Sequence, residues 1–100
     1  MTNVKITVIK KFHPRDVFDK DIKYPSGNIA RECQSFNVGD EFIVENGCKP
    51  TNFCDWAWRD VYKDVAVLRF GGNFNHTEPG VIYTCCTDGM KPVCFKMERI

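Results

Sequence analysis

The amino-acid sequence predicts a small α+β domain, in which a single layer of about four mostly antiparallel strands packs on one main helix, in the order β-β-α-β-β. Alternating apolar residues near both ends of the chain are typical of strands with one buried face. A segment in the middle has helical periodicity, and a turn signal near the C terminus joins two strands. With 100 residues, 43% of them hydrophobic, we expect one domain over residues 1–100.

The first predicted strand is the segment VKITVIKKF, in which Val4, Ile6 and Val8 share one face. The segment 13–37 that follows contains two prolines, one glycine and many charges. We therefore expect it to be irregular, apart from a short helical turn near 16–20.

Three further strands are predicted from alternation between turn residues. In VGDEFIVENG, Phe42 and Val44 share a face, and turn residues stand on both sides of them. The C-terminal segments VIYTCCT and KPVCFKMERI flank Asp88-Gly89, which predicts a hairpin. The core face of the last strand consists of alternate apolar residues: Val93, Phe95 and Met97. Pairing across the turn then places Cys86 on that same face.

The main helix is predicted in TNFCDWAWRDVYKDVAVLRFGG. Its apolar residues recur at alternating spacings of four and three, which form one stripe: Cys54, Trp58, Val61, Val65 and Leu68. Thr51 or Asn52 is the expected N-terminal cap, and Gly71-Gly72 follows the last apolar residue, where a left-handed cap is usual.

Charge and hydropathy exclude several classes of protein. Fourteen basic and thirteen acidic side chains give a net charge of +1 without a basic cluster, which argues against nucleic-acid binding. The longest apolar runs fall far short of the roughly 18–20 residues of a membrane span. The first residues lack the apolar core and cleavage site of a secretory signal, so we expect a cytoplasmic location.

The six cysteines are the main candidates for chemistry. In a secreted chain this number would indicate disulfides, whereas in the reducing cytoplasm it indicates metal ligands, reactive thiols or small buried side chains. A bridge between the adjacent Cys85 and Cys86 would also be badly strained.

The motifs GDEFIV, FCDWAWRD, LRFGGNF, EPGV and CCTDGMKPVCFKMERI resemble a family of small, uncharacterised prokaryotic proteins of about this length. That family's pattern runs C-x-x-F-x-x-GDEF, FC-x-WAW-x-D, FGGNF, EPG and CCTDG-x-RPV-x-FK-x-ER. Cys48 and Cys94 fall at its open positions, and Lys91 stands where it has arginine. By position, the resemblance takes in four of the cysteines: Cys33, Cys54, Cys85 and Cys86. It implies no activity.

These four cysteines form the predicted metal site. All lie beside the end of a predicted element, and such ends can converge at one edge of a small α/β layer. Four thiolates would suit zinc or an iron–sulfur cluster, although no C-x-x-C spacing is present. Neighbouring residues of a strand point to opposite faces, so Cys85 and Cys86 share one ion only where the strand bulges or has ended.

Two alternatives remain open. A redox or nucleophilic thiol is one: the dipole of the main helix favours the thiolate of Cys54, Cys85 or Cys86 could resolve it, and His76 could act as a base. A non-catalytic interaction or scaffolding module, whose cysteines simply pack in the core, is the other. Trp56, on the flank of the helix, indicates either a subunit contact or packing against the segment 13–37, and we expect a homo-oligomer.

Overall fold

In the computed structural model, which describes residues 2–100, the order of elements along the chain agrees with the predicted α+β class. The elements are β1 (Val4–Lys11), α1 (Pro14–Phe18), β2 (Glu41–Val44), α2 (Asp55–Arg69), β3 (Val81–Cys85) and β4 (Val93–Arg99). The strands form one antiparallel sheet in the spatial order β2-β1-β4-β3. Among the residues described, no helix has both the length and the apolar character that a membrane crossing requires.

The core lies between one face of the sheet and α2. Alternate residues of β1 and β4 are buried as the sequence predicts, and Val61, Val65 and Leu68 of α2 pack against them. Two residues of the predicted stripe, Cys54 and Trp58, are only partly buried at its edge. Ala57 is the buried residue at that end of the helix. The opposite face of the sheet is turned to solvent, with its residues half-buried in β1 and β4 and more exposed in β3.

The register of β1 changes once. Its pairing with β4 steps from Val8 to Lys10, so Ile9 is an extra residue at this point of the ladder. Lys10 pairs with Cys94 and Lys11 pairs with Val93. The bulge is therefore close to the end of the sheet that carries the cysteines.

The segment between α1 and β2 is largely irregular, as expected, but it contributes to the core. The ring of Phe36 is almost fully buried and packs edge-on against three other rings, those of Phe42, Phe53 and Phe95, with centroid distances of 5.8, 5.1 and 5.3 Å. α1 begins slightly earlier than predicted because His13 and Asp16 form a capping box.

The start of α2 differs from the prediction. Neither Thr51 nor Asn52 caps the helix: it begins at Asp55, and its N-cap is Cys54, whose backbone is extended. At the other end, Gly71 adopts a left-handed φ of 87° just after the helix, as its position in the sequence indicated.

The predicted hairpin is present, with residues 86–92 connecting β3 to β4. Asp88 shapes this connection, since its carboxylate accepts the backbone N–H groups of Met90 and Lys91 at 2.9 and 3.2 Å. Cys86 is buried beside Val93, on the face of the sheet that the sequence predicted.

Candidate functional site

Three of the four cysteines in the predicted site meet at one small cavity. Cys33 comes from the irregular segment, Cys54 from the start of α2, and Cys86 from the residue after β3. The cavity has a volume of about 40 Å³. Its remaining wall consists of apolar side chains and one ion pair: Phe36, Trp56, Ala57, Asp88 and Lys91.

Cys86 is the most enclosed of the three thiols, with 8% of its surface exposed. Its backbone N–H donates to the Val93 carbonyl at 3.0 Å, and its sulfur accepts the Val93 N–H at 3.3 Å. Burial raises the pKa of the Cys86 thiol, and the nearby thiol of Cys33 adds to this effect. Cys86 is therefore a fixed, protonated thiol at neutral pH.

Cys33 lies at the edge of the cavity and is partly buried. Its sulfur accepts the N–H of Ser35 at 3.4 Å, a weak contact within its own loop. Its carbonyl accepts a hydrogen bond from the ammonium of Lys11 at 2.9 Å, which connects the loop to β1. The backbone of Cys33 is thus anchored to the sheet, although no strand or helix contains it.

Cys54 reaches the cavity because α2 begins directly after it. Its carbonyl accepts the Trp58 N–H at 2.9 Å, the first bond of the helix. Within residues 2–100, its side chain makes no capping hydrogen bond, so the sulfur is not committed to the helix backbone. The sulfur stands near the positive end of the helix dipole.

Asp88 and Lys91 place an ion pair in the cavity wall, with 3.1 Å between the carboxylate and the ammonium. Burial alone would raise the pKa of Asp88, but hydrogen bonds from the Met90 amide and from Lys91 outweigh it and lower that pKa. The bond to Asp88 is also the main reason that the pKa of Lys91 is raised. Both groups are therefore charged at neutral pH.

A hydrogen-bonded network connects α2 to the hairpin beside Cys86. The indole N–H of Trp56 donates to the Thr87 hydroxyl at 3.0 Å, and Asp60 accepts the Thr87 N–H at 2.8 Å. The same hydroxyl lies within 3.0 Å of the Asp60 carboxylate. Trp56 and Asp60 are four residues apart and so share a helix face. The sequence predicted that Trp56 lies on the flank of the helix, but no pattern in it predicted Thr87 as the hydrogen-bond partner.

Cys85 is placed apart from the other three cysteines of the predicted site. It is exposed on the face of the sheet opposite α2, where it pairs with Cys94. Of residues 2–100, neither Cys48 nor His76 lines the cavity, and the His76 ring stacks on Phe74 instead. As positioned, no three histidine, cysteine, aspartate or glutamate side chains in this range form a group that could hold a metal ion.

Comparisons with protein-family models, with curated proteins and with solved structures found no match to this chain. The resemblance to the small prokaryotic family therefore stays a prediction. The site is distinguished by its geometry: three thiols from three distant parts of the chain border one small, partly open cavity.

Proposed function

We propose that the protein binds one thiophilic metal ion, with zinc as the first candidate, through Cys33, Cys54 and Cys86. The observation that carries the proposal is that these three thiols line the same cavity. Sulfur is a soft ligand that selects zinc, copper(I) or iron over hard cations. Structural zinc sites take four protein ligands, and three cysteines with one further side chain is a common set.

The volume of the cavity favours a single ion over a cluster. About 40 Å³ is enough for one ion with a bound water. An iron–sulfur cluster contains several iron and sulfide atoms and would need a wider opening between α2 and the hairpin. The proposal thus narrows the expectation of zinc or an iron–sulfur cluster to a mononuclear site.

Binding requires the sulfurs to draw closer together than they stand in the structure. Cys33 can supply that movement by rotation of its side chain, because its sulfur makes only the weak contact with Ser35 while its backbone stays bound to Lys11.

Cys86 is held between two backbone contacts to Val93 and must lose its proton, so binding releases protons and strengthens as pH rises. The Asp88 carboxylate stands in the same wall and is the candidate for the fourth ligand, and it would have to release contacts with Met90 and Lys91 to bind the ion.

The proposed role of the ion is structural. It would connect the segment containing Cys33, the start of α2 and the hairpin, three parts of a 100-residue chain with a limited core. The cytoplasmic location and the homo-oligomer remain predictions, and a reducing compartment would keep the thiols available for metal.

The test is metal stoichiometry on the full chain purified without oxygen, stripped with a chelator and titrated with Zn²⁺ or Co²⁺. We expect about one equivalent per chain and a cobalt–thiolate absorption band. The variants Cys33→Ser, Cys54→Ser and Cys86→Ser should each weaken binding at least about tenfold. Cys85→Ser and Cys48→Ser are the matched controls and should bind normally. Less than about one tenth of an equivalent in the wild-type chain would rule the site out.

A thiol redox function is the second candidate, favoured by the placement of Cys33, Cys54 and Cys86 around the same cavity. Mild oxidation would then produce a Cys33–Cys86 or Cys54–Cys86 disulfide, detectable by peptide mapping. If the chain neither binds metal nor forms such a bond, the results support the interaction or scaffolding module with cysteines packed in its core.

A further inference from the structure

We propose that Cys85 and Cys94 form a second, separate thiol site: a cross-strand dithiol on the exposed face of the sheet that a low-molecular-weight disulfide converts to a Cys85–Cys94 disulfide. The two residues are direct partners in the β3–β4 register. Neither lines the cavity described above. The proposal therefore does not depend on metal binding by Cys33, Cys54 and Cys86.

The hydrogen-bond pattern shows which kind of pair these cysteines form. Arg99 donates its N–H to the Gly80 carbonyl at 2.8 Å, and Cys86 donates to Val93 at 3.0 Å. Hydrogen-bonded pairs alternate with non-hydrogen-bonded pairs along an antiparallel ladder. The Cys85–Cys94 pair, one step from Cys86–Val93, is therefore non-hydrogen-bonded.

Side chains approach most closely at such a pair. The Cα atoms of a non-hydrogen-bonded pair are about 4.5 Å apart, which lies at the short end of the range of roughly 4.4–6.8 Å that disulfides span. Both side chains also point to the same face, because directly opposed residues of a sheet do so. A bond between the sulfurs thus needs rotation of the two side chains and little movement of the backbone.

The pair is open to small reagents. Cys85 is exposed and Cys94 is partly exposed, while α2 covers the opposite face. Burial raises the pKa of Cys94, with smaller contributions from the thiols of Cys85 and Cys86, while the charge of Lys10 acts in the opposite direction. Cys85 is accordingly the first thiol to react, and Cys94 is the resolving thiol.

The reaction balances with glutathione disulfide as the oxidant. The Cys85 thiolate attacks one of its sulfurs, forms a mixed disulfide and expels a glutathione thiolate. The Cys94 thiolate then attacks the sulfur of Cys85 and expels the second glutathione. Two electrons pass from the protein thiols to the oxidant, and the two expelled glutathione thiolates take up the two protons that the protein thiols release, giving two glutathione thiols.

The experiment equilibrates the reduced, metal-free full chain in glutathione buffers of increasing oxidation, blocks free thiols and maps the peptides. We expect a Cys85–Cys94 bridge, and a midpoint of unfolding about 5 °C higher in the oxidised form because the bond closes the hairpin connection. In Cys94→Ser, Cys85 should keep a glutathione adduct. Cys48, an exposed cysteine in a loop, is the internal control and should carry only such an adduct.

A persistent adduct on Cys85 in the wild-type chain would overturn the proposal, as would bridging of Cys85 to any cysteine other than Cys94. The same mapping on Cys86→Ser separates this site from the cavity. The Cys85–Cys94 bond should form there unchanged, whereas its loss would show that the two groups of thiols act as one site.

Discussion

The two groups of thiols lie toward opposite faces of the β3–β4 hairpin and differ in what surrounds them. Cys33, Cys54 and Cys86 border a partly open cavity on the side of the sheet that α2 covers. Cys85 and Cys94 lie on the exposed face. Cys85 and Cys86 are neighbours in sequence, yet strand alternation directs them to opposite sides. The comparison teaches that adjacent cysteines in a strand belong to different environments, and so to different chemistry.

The largest expected effect comes from a substitution in the core, on the face of the sheet that α2 covers. Phe36→Ala removes a buried ring that contacts three others and forms part of the cavity wall, and should lower the free energy of unfolding by about 3–5 kcal/mol. Tyr83→Ala on the exposed face is the matched control, with an expected loss below about 1 kcal/mol. Urea denaturation measures both. Equal losses would show that the two faces are not distinct.

A smaller effect is expected from the hydrogen bond that joins α2 to the hairpin connection. Trp56→Phe keeps an aromatic ring but removes the hydrogen bond to Thr87, and should cost about 0.5–1.5 kcal/mol. It should also increase the rate at which Cys86 is alkylated, because Thr87 follows Cys86 directly. Tyr62→Phe, an exposed position on the same helix, is the control. An unchanged alkylation rate for Cys86 would contradict this role of Trp56.

The smallest effect concerns pH. Burial raises the pKa of Cys86 and of Cys94 above the ordinary thiol value of 9.0, so their contribution to stability is complete below that pH. It is lost as pH rises through the higher pKa values of the folded state, where the unfolded chain has already released these protons. The free energy of unfolding should thus fall above pH 9.0, and less steeply in Cys86→Ala. Parallel profiles for the two chains would refute the assignment to Cys86.

Most of the fold could be predicted from the sequence because periodicity reports burial directly. Val4, Ile6 and Val8 alternate toward the core, and the α2 stripe follows helical spacing. The cap of α2 could not be predicted in the same way. Thr51 and Asn52 are good capping residues, but Asn52 adopts a left-handed φ of 66° in the turn before the helix, so the chain reaches helical geometry only after Cys54.

The candidate site was only partly predictable. The sequence placed four cysteines beside element ends, and three of them, Cys33, Cys54 and Cys86, line one cavity in the structure. Cys85 lies apart because successive side chains of a strand point to opposite faces. This alternation, already visible in the sequence, is an obstacle to one ion shared by Cys85 and Cys86. The Asp88–Lys91 pair and the Thr87 contacts depend on how the hairpin connection folds over α2, which no local pattern records.

The bulge at Ile9 in β1 determines which face of the sheet Lys10 and Lys11 occupy. Before Ile9, even-numbered positions face the core; beyond it the parity reverses, so Lys11 reaches the carbonyl of Cys33 while Lys10 stands opposite Cys94. Without the bulge, Ile9 would pair with Cys94 and Lys10 with Val93, so both lysines would change faces; deleting Ile9 would instead leave a regular ladder with both lysines on their present faces. The bulge thus absorbs one extra residue and keeps Lys11 on the face that Cys33 borders.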